Sequence, residues 1–168
     1  LKNAVNKYHA LDVLIQKLIE NNQISHTLIY TSPQQIELVQ QNLLKYSKIT
    51  QHKFTNKENA IKKEKKFDYL TEREYLLECF DKGLYSILVA IKCLDEGVDV
   101  PSTRNAILLC SSGNPKEYIQ RRGRVLRRFP GKEKALIYDF ITLPNIENYR
   151  TRPEYEKKMI DSEMKRIS

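Results

Sequence analysis

The sequence predicts an α/β fold in which helices cover both faces of a parallel β-sheet. Five short apolar runs rich in β-branched residues alternate with segments of helical periodicity, which is typical of repeated strand–helix units. With 168 residues and a 40% apolar composition, the chain can bury one core. A nearly continuous apolar run is expected where helices cover both faces of a central strand, and residues 86–91 fit this pattern. The predicted strands are 27–31, 48–54, 86–91, 105–110 and 134–140.

The helices are predicted from the spacing of apolar side chains. Residues 6–20 place several on one face, including Leu11 and Ile15, so an amphipathic helix is expected there. A further helix is expected over residues 70–82. The lysine-rich residues 56–66 before it contain almost no apolar side chains, which predicts a solvated loop or an extension of that helix.

The strand–helix pattern ends near Pro144, which divides the chain into two parts. Residues 1–144 form the predicted α/β domain. Residues 145–168 mix charged side chains with apolar ones such as Ile160, so we expect a C-terminal helical tail that docks on a surface.

The composition limits the classes of function. A net charge of +8 and a pI near 9.3 favour a polyanionic partner, either nucleic acid or nucleotide phosphates. No window approaches the roughly 18 uninterrupted apolar residues of a membrane span, and no signal-peptide core is present, so we expect no membrane association and a cytoplasmic or, in a eukaryote, nuclear location. Cys79, Cys93 and Cys110 fit no metal-ligand pattern, and they are expected to be reduced thiols near the core, with no metal and no disulfide.

An arginine-rich helix is the first candidate site. Residues 114–117 read Asn-Pro-Lys-Glu, which is typical of a capped helix start. At about 100° per residue, Gln120, Arg124 and Arg127 share the polar face of this helix. Gly123 within it suggests that a backbone or ligand approaches closely.

The opposite face of the same helix carries the apolar side chains Tyr118, Ile119, Val125 and Leu126, which are expected to face the core. Two guanidinium groups on the polar face suit phosphate oxygens, because arginine binds them through a planar, permanently charged fork. A solvated basic helix is the alternative.

The second candidate site follows the central strand. Residues 95–101 read Asp-Glu-Gly-Val-Asp-Val-Pro, an acidic turn at the carboxyl end of a parallel strand, where open sheets bind ligands. Gly97 permits a tight turn and Asp99 can accept a hydrogen bond from a ribose hydroxyl. A purely structural turn is the alternative. The acidic pair is not read as the metal site of a P-loop ATPase, because Lys92 interrupts the apolar run and the sequence contains no G-x-x-x-x-G-K-[ST] motif.

A third candidate site follows the first strand. Ser32 is expected to cap a helix with Pro33 at its first position and with Gln35 completing a capping box. The hydroxyls of Thr31 and Ser32, with the amides of that helix start, could bind a phosphate of a nucleic-acid strand. Ordinary capping is the alternative.

Taken in chain order, the third, second and first candidate sites resemble motifs IV, V and VI of superfamily 2 helicases, over residues of about 27–140. Residues 120–127, which read Gln-Arg-Arg-Gly-Arg-Val-Leu-Arg, fit the family pattern Q-x-x-G-R-x-x-R. Together with the turn at 95–101, the sequence of these residues looks most similar to XPB-like repair helicases and restriction-type DNA motors. The resemblance implies a RecA-like three-layer fold.

The resemblance also implies a role for each matching residue. Arginine fingers that reach the γ-phosphate of ATP would be Arg124 and Arg127. Other nucleotide contacts would come from Gly97, Asp99 and Gln120, and the nucleic-acid strand would meet Thr31, Ser32, Ile91 and Lys92. Many relatives have threonine at the position of Ile91, which puts a hydroxyl contact there in doubt.

The expected function is therefore the C-terminal motor domain of an ATP-dependent DNA helicase or translocase that serves repair or restriction. Its partners would be DNA and a first RecA-like domain of the same polypeptide, which would bind most of the ATP and its Mg²⁺, so the isolated domain is expected to be inactive. The alternatives are an ATP-independent nucleic-acid binding module, an RNA helicase domain and a phosphate-binding α/β domain of signalling type.

Overall fold

The computed structural model describes residues 6–91, 99–109, 123, 125–141 and 150–167, and the side chains of all of these except 165–167. Five strands form one sheet in the order β2-β3-β1-β4-β5, and every pairing is parallel. The strands are β1 (Thr27–Tyr30), β2 (Gln51–Phe54), β3 (Ile87–Ala90), β4 (Asn105–Leu108) and β5 (Leu136–Asp139). The described helices are α1 (Asn6–Glu20), α2 (Ile36–Leu43), α3 (Glu72–Asp81) and α4 (Glu154–Ile167), with a 3₁₀ turn at Lys65–Phe67.

The predicted α/β class is confirmed, and each predicted strand overlaps an observed one. The observed strands are shorter because some predicted residues lie before the first or after the last fully paired position. Ile91, for example, is outside β3, although its backbone N–H still donates to the carbonyl of Phe54 at 3.3 Å. The opening helix covers the predicted residues and ends where expected, at Glu20, and α3 is one or two residues shorter at its ends than expected.

Helices cover the sheet on both faces because alternate strand residues point to opposite sides. On the first face, Ile29, Ile87 and Val89 are buried with apolar residues of α1 and α2. On the second face, Leu28, Leu88 and Ala90 are buried with residues of α3, among them Phe80. The arrangement is the three-layer architecture that the sequence predicts.

The strand register places all five carboxyl ends at one edge of the sheet. Phe54 pairs with Ala90, Ala90 with Tyr30, Tyr30 with Leu108 and Leu108 with Asp139. The next residue of each strand therefore starts from the same edge, which we call the carboxyl edge. In sheet order, these five residues are Thr55, Ile91, Thr31, Leu109 and Phe140.

The helix after β1 differs from the prediction. It begins at Ile36 and not at Pro33, because residues 33–35 form a turn and Gln35 occupies the capping position. One half of the predicted capping box is present, since Ser32 N–H donates to Gln35 Oε1 at 3.1 Å. The other half is absent, because Gln35 N–H donates to the carbonyl of Ser32 at 3.0 Å and Ser32 Oγ has no hydrogen-bond partner among the described residues.

The segment between β2 and α3 is a largely exposed loop, as predicted, and it also has internal structure. Glu64 and Leu70 form an antiparallel bridge around the 3₁₀ turn, and Asp68 and Tyr69 adopt left-handed backbone angles. Thr71 then starts α3 with a complete capping box, in which its side chain accepts from Glu74 N–H and the Glu74 carboxylate accepts from Thr71. The segment is a loop with defined internal contacts.

The described part of the C-terminal tail contains helix α4, over Glu154–Ile167. Within α4, Ile160 is buried, whereas Tyr155 and Met164 are exposed. The boundary at residues 144 and 145 stays a prediction, because residues 142–149 lie outside the described part of the chain. Within that described part, no helix is long and apolar enough to cross a membrane.

A polar contact joins α1 to the end of α2. Tyr46 donates its hydroxyl to Asp12 Oδ1 at 2.6 Å, and Lys45 Nζ contacts the same carboxylate at 2.5 Å. Burial, the hydrogen bond and the negative charge of Asp12 raise the pKa of Tyr46 to about 12, from an ordinary value of 10.0. Although burial alone would raise the pKa of Asp12, the hydrogen bonds from Lys45 and Tyr46 lower it.

The raised pKa of Tyr46 predicts a pH-dependent contribution to stability. A folded pKa above the unfolded value means that the contribution is complete below pH 10 and is lost as the pH rises through the folded value of about 12. The free energy of unfolding of Tyr46→Phe should therefore approach that of the wild type over this range. Urea denaturation at about pH 8, 10 and 12 measures the difference, and a difference that does not shrink above pH 10 would contradict the assignment.

Candidate functional site

The centre of the candidate site is an ion pair between two residues that the sequence assigns to different motifs. Arg127 Nη1 donates to Asp99 Oδ2, and the two side chains are 57% and 36% exposed. The other carboxylate oxygen, Asp99 Oδ1, is buried and has no hydrogen-bond partner among the described residues. A buried acceptor without a donor is unfavourable by about 1–3 kcal/mol, so Oδ1 is a position where a ligand hydroxyl would be stabilised.

Lys132 connects the backbones around this pair. Its Nζ donates to the carbonyl oxygens of Pro101 and Val125, at 2.7 Å each, and so joins the turn after Asp99 to the segment before Arg127. Burial lowers the pKa of Lys132, while the negative charge of Asp99 opposes this shift. The carbonyl contacts and the nearby carboxylate give the ammonium group a defined place beside the ion pair.

The local sequence explains how Lys132 reaches this position. Phe129, Pro130, Gly131 and Lys132 form a turn in which Lys132 N–H donates to Phe129 O at 3.0 Å. Gly131 has a φ of 74°, which the third position of a type II turn requires and which glycine adopts without strain. Sequence reasoning missed Lys132. The Pro-Gly pair was a signal for the turn, but not for the two carbonyls that the lysine contacts.

Replacing Lys132 with methionine is expected to lower the free energy of unfolding by about 1–3 kcal/mol, because two partly buried carbonyls lose a charged donor. Urea denaturation measures the change. Lys134→Met is the matched control, since Lys134 is exposed and lies two residues further along the chain. Equal stability of the two variants would show that the carbonyl contacts contribute nothing.

The helix that carries the arginines ends earlier than the helical projection assumes. Gly123 and Val125 are helical and Val125 is buried, but Leu126 lies in a turn and is 55% exposed. The expectation that Leu126 faces the core is therefore wrong, and Arg127 lies beyond the helix end and not on its polar face. The rotation of 100° per residue applies only within a helix.

Gly123 lies beside open space among the described residues. A Cβ atom built on it would meet no described atom within 4 Å. The close approach predicted at this position is therefore not made by any described part of the chain, and an approach by a ligand or another domain stays a prediction.

The two hydroxyls assigned to nucleic-acid binding lie at the end of β1 in different environments. Thr31 is buried, and its Oγ1 donates to Ala90 O at 3.3 Å, so its proton is not directed at a ligand in this conformation. Ser32 is also buried, but its Oγ has no hydrogen-bond partner among the described residues. Ser32 is thus the better placed of the two to donate to a phosphate oxygen.

The structure describes some of the assigned site residues and not others. Ile91 is half-buried at the end of β3, next to Thr31 across the sheet. The structure therefore brings Asp99 together with Arg127, and it places Thr31, Ser32 and Ile91 at neighbouring strand ends. The assigned residues that lie outside the described ranges are Lys92, Gly97, Gln120 and Arg124.

Two further observations concern the surroundings. Cys79 is a buried free thiol, as expected, while Cys93 and Cys110 lie outside the described residues.

A polar cavity of about 370 Å³ opens at the amino ends of β4 and β5, next to Arg104 and Lys134. It lies at the edge of the sheet opposite to the carboxyl edge.

Comparison with known proteins identifies the family. Residues 6–129 match the model described as the helicase conserved C-terminal domain. The chain is 42% identical over 72 residues to the DNA 3'-5' translocase XPB2 of Sulfurisphaera tokodaii, a match that covers 42% of this chain and 16% of the translocase. The chain therefore belongs to the helicase C-terminal domain family, and the predicted resemblance to superfamily 2 is confirmed.

Solved structures show the same fold. The C-terminal domain of the DEAD-box protein Dbp5 aligns with a TM-score of 0.64 at 17% identity, covering 99% of this chain and 81% of that chain. Domain 2 of the DEAD-box helicase Mss116p, bound to an RNA duplex, aligns with a TM-score of 0.56 at 18% identity, covering 80% and 49%. At these identities the similarity establishes the RecA-like helicase fold alone.

Proposed function

We propose that this chain is the C-terminal motor domain of an ATP-dependent DNA helicase or translocase of superfamily 2. In this role it completes an ATP site with Arg124 and Arg127 and holds the nucleic-acid backbone at the carboxyl edge. The observation that carries the proposal is the contact between Arg127 and Asp99. It unites the two motifs that the sequence assigns to the nucleotide.

The residues present fit a nucleotide. Asp99 Oδ1 is a buried acceptor without a described donor, which suits a ribose hydroxyl, and the guanidinium of Arg127 suits phosphate oxygens. ATP would supply the phosphoryl group that is transferred to water. Since the sequence contains no P-loop, we assign most of its binding, and that of Mg²⁺, to a first RecA-like domain of the same polypeptide.

The ion pair is weak enough for Arg127 to move away from Asp99. Both of its side chains are partly exposed, and exposed pairs of this kind stabilise a fold by only about 0–1 kcal/mol. An arginine finger contributes about 10³–10⁵ in turnover, which corresponds to about 4–7 kcal/mol. Arg127 can therefore leave Asp99 at small cost when the two domains close, and Asp99 then remains to accept a hydroxyl.

The nucleic-acid strand would pass over the carboxyl edge at Thr31, Ser32, Ile91 and Lys92. Contacts at strand ends and helix starts bind the backbone and not the bases, so we expect weak sequence preference and strong salt dependence. DNA is proposed because the relative at 42% identity is a DNA translocase. RNA is the second candidate, favoured by the fold shared with a helicase domain bound to an RNA duplex.

The proposal extends to the cellular role. Repair or restriction is expected from the similarity of the two motifs to repair helicases and restriction-type motors. The protein would then act in the cytoplasm of a bacterial-type cell or in a eukaryotic nucleus.

Nucleic-acid-stimulated ATP hydrolysis by the longer protein tests this function. Hydrolysis should rise when single-stranded DNA is added, and RNA of the same sequence should stimulate it less. Deleting this domain should remove both the basal and the stimulated rates. Stimulation by RNA alone would indicate an RNA helicase. An unchanged rate of ATP hydrolysis after the deletion would overturn the motor role.

A further inference from the structure

The loop between β2 and α3 is a lysine-rich surface that the motifs do not explain. We define it as residues 55–71 and call it the basic loop. Five of its side chains are exposed lysines. They are Lys57, Lys62, Lys63, Lys65 and Lys66.

The loop is held to the domain by specific contacts at its base. Thr55 donates both its backbone N–H and its hydroxyl to the buried carboxylate of Glu58. Arg73 of α3 donates to the carbonyl of Thr55 at 2.9 Å and lies 5.6 Å from the centre of the Phe54 ring. The lysines are thus presented from a fixed base, which reduces the entropy that they lose on binding a ligand.

The acidic residues near the loop are largely engaged by backbone groups. The carboxylate of Glu58 accepts from Thr55, that of Glu72 accepts from Asn59 N–H at 3.0 Å, and that of Glu74 accepts from Thr71. The hydrogen bonds from Thr71 lower the pKa of Glu74. Among the described residues, the five lysines form a single ion pair, between Lys66 and Glu64 at 3.4 Å. With five lysines against Glu58, Glu64 and Asp68, the loop has a formal net charge of +2.

The loop also exposes two large side chains beside the lysines. Ile61 is 92% exposed and Tyr69 is 67% exposed. An exposed aromatic ring among lysines is the combination that single-stranded nucleic acid requires, because a base stacks on the ring while phosphates bind the cations. A loop whose only role is solubility would need the charges and not the ring.

The position of the loop links it to the proposed nucleic-acid surface. Thr55 leaves β2 beside Ile91, and Ile91 lies beside Thr31 across the next strand pair. With neighbouring strands about 4.8 Å apart, the start of the loop is roughly 10 Å from the end of β1. The basic loop extends the row of strand ends toward the β2 edge of the sheet.

We propose that the basic loop is a second binding site for a single nucleic-acid strand. Its lysines bind backbone phosphates of the strand after it crosses Thr31 and Ile91, and Tyr69 stacks on a base. The proposal rests on the proposed function, since it assumes that the carboxyl edge holds the strand. It adds a site that lies outside the three motifs and assigns a role to a segment that those motifs leave unexplained.

A charge-matched comparison tests the lysines. One variant carries Lys62→Gln, Lys63→Gln, Lys65→Gln and Lys66→Gln. The control carries Lys17→Gln, Lys48→Gln, Lys134→Gln and Lys158→Gln, which are exposed lysines on other parts of the surface. Both lose four positive charges, so they differ only in position. Binding of a fluorescent single-stranded DNA is followed by anisotropy at several salt concentrations, and urea denaturation checks that both variants fold.

The loop variant should bind at least about 10-fold more weakly than the control, and its slope of log K against log salt should be smaller by about 0.7 for each phosphate that the loop no longer neutralises. Equal affinities and equal slopes for the two variants would overturn the proposal while leaving the motor function intact. Absence of binding by the wild type would overturn both.

Tyr69→Ala tests the stacking contact without changing charge. It should weaken binding to single-stranded DNA by about 5-fold or more and leave binding to duplex DNA of the same sequence unchanged, because paired bases cannot stack on the ring. Equal losses for the two DNA forms, or no loss for either, would exclude a stacking role for Tyr69. Repeating the titration with single-stranded RNA shows whether the site distinguishes the two sugars.

Discussion

Replacing Arg127 with alanine in the longer protein is expected to lower ATP turnover by about 10³–10⁵-fold. Among the described groups of this site, the guanidinium of Arg127 can neutralise charge on a transferring phosphoryl group. Its ion pair with Asp99 is weak because both side chains are partly exposed. Steady-state ATP hydrolysis at saturating nucleic acid measures the loss. Arg124→Ala should have an effect of the same size, because the helicase motif pairs the two arginines.

Arg128→Ala is the matched control for this experiment. Arg128 is the next residue, is exposed, and has no place in the proposed site. It should hydrolyse ATP at close to the wild-type rate, and all three variants should keep most of their affinity for nucleic acid. Turnover near the wild-type rate in Arg127→Ala would exclude Arg127 as an arginine finger. Equal losses in Arg127→Ala and Arg128→Ala would indicate a general effect of charge.

Replacing Phe80 with alanine is expected to lower the free energy of unfolding by about 3–5 kcal/mol. Phe80 is fully buried on the second face of the sheet, and its ring packs edge-on against His26 at 5.5 Å between centroids. A loss of this size is a large fraction of the roughly 5–15 kcal/mol that stabilises a typical domain. The midpoint of urea denaturation should fall accordingly.

Leu44→Ala is the control for the core substitution. Leu44 is 73% exposed just after α2, so its truncation should change the free energy of unfolding by no more than about 0.5 kcal/mol. A small effect of Phe80→Ala, comparable with that of Leu44→Ala, would mean that α3 does not form the core contact described.

The fold could be predicted from the sequence because its main signals are local. A continuously apolar strand such as residues 87–90 requires cover on both faces, and alternation with helices leaves few arrangements besides a parallel sheet. The strand order and the register depend on distant contacts and could not be read from these patterns. The contacts of the basic loop were missed for a related reason, because they join Thr55 and Asn59 to side chains of α3.

The candidate site was predicted less completely than the fold. Asp99 and Arg127 were each singled out, but their contact spans 28 residues and no local pattern contains it. The helical projection placed Leu126 in the core because the helix was assumed to continue. Lys132 was missed since its two partners are backbone carbonyls, which carry no sequence signal.

The most direct test of the central claim is a titration of a fluorescent, non-hydrolysable ATP analogue. It is carried out with this chain alone and with the chain joined to the first RecA-like domain of the same polypeptide. We expect no saturable binding to the chain alone at concentrations that saturate the joined protein, and weaker binding to the joined protein when it carries Asp99→Ala. Equal affinity of the isolated chain and the joined protein would contradict this expectation, because the nucleotide site would then be complete without a partner domain.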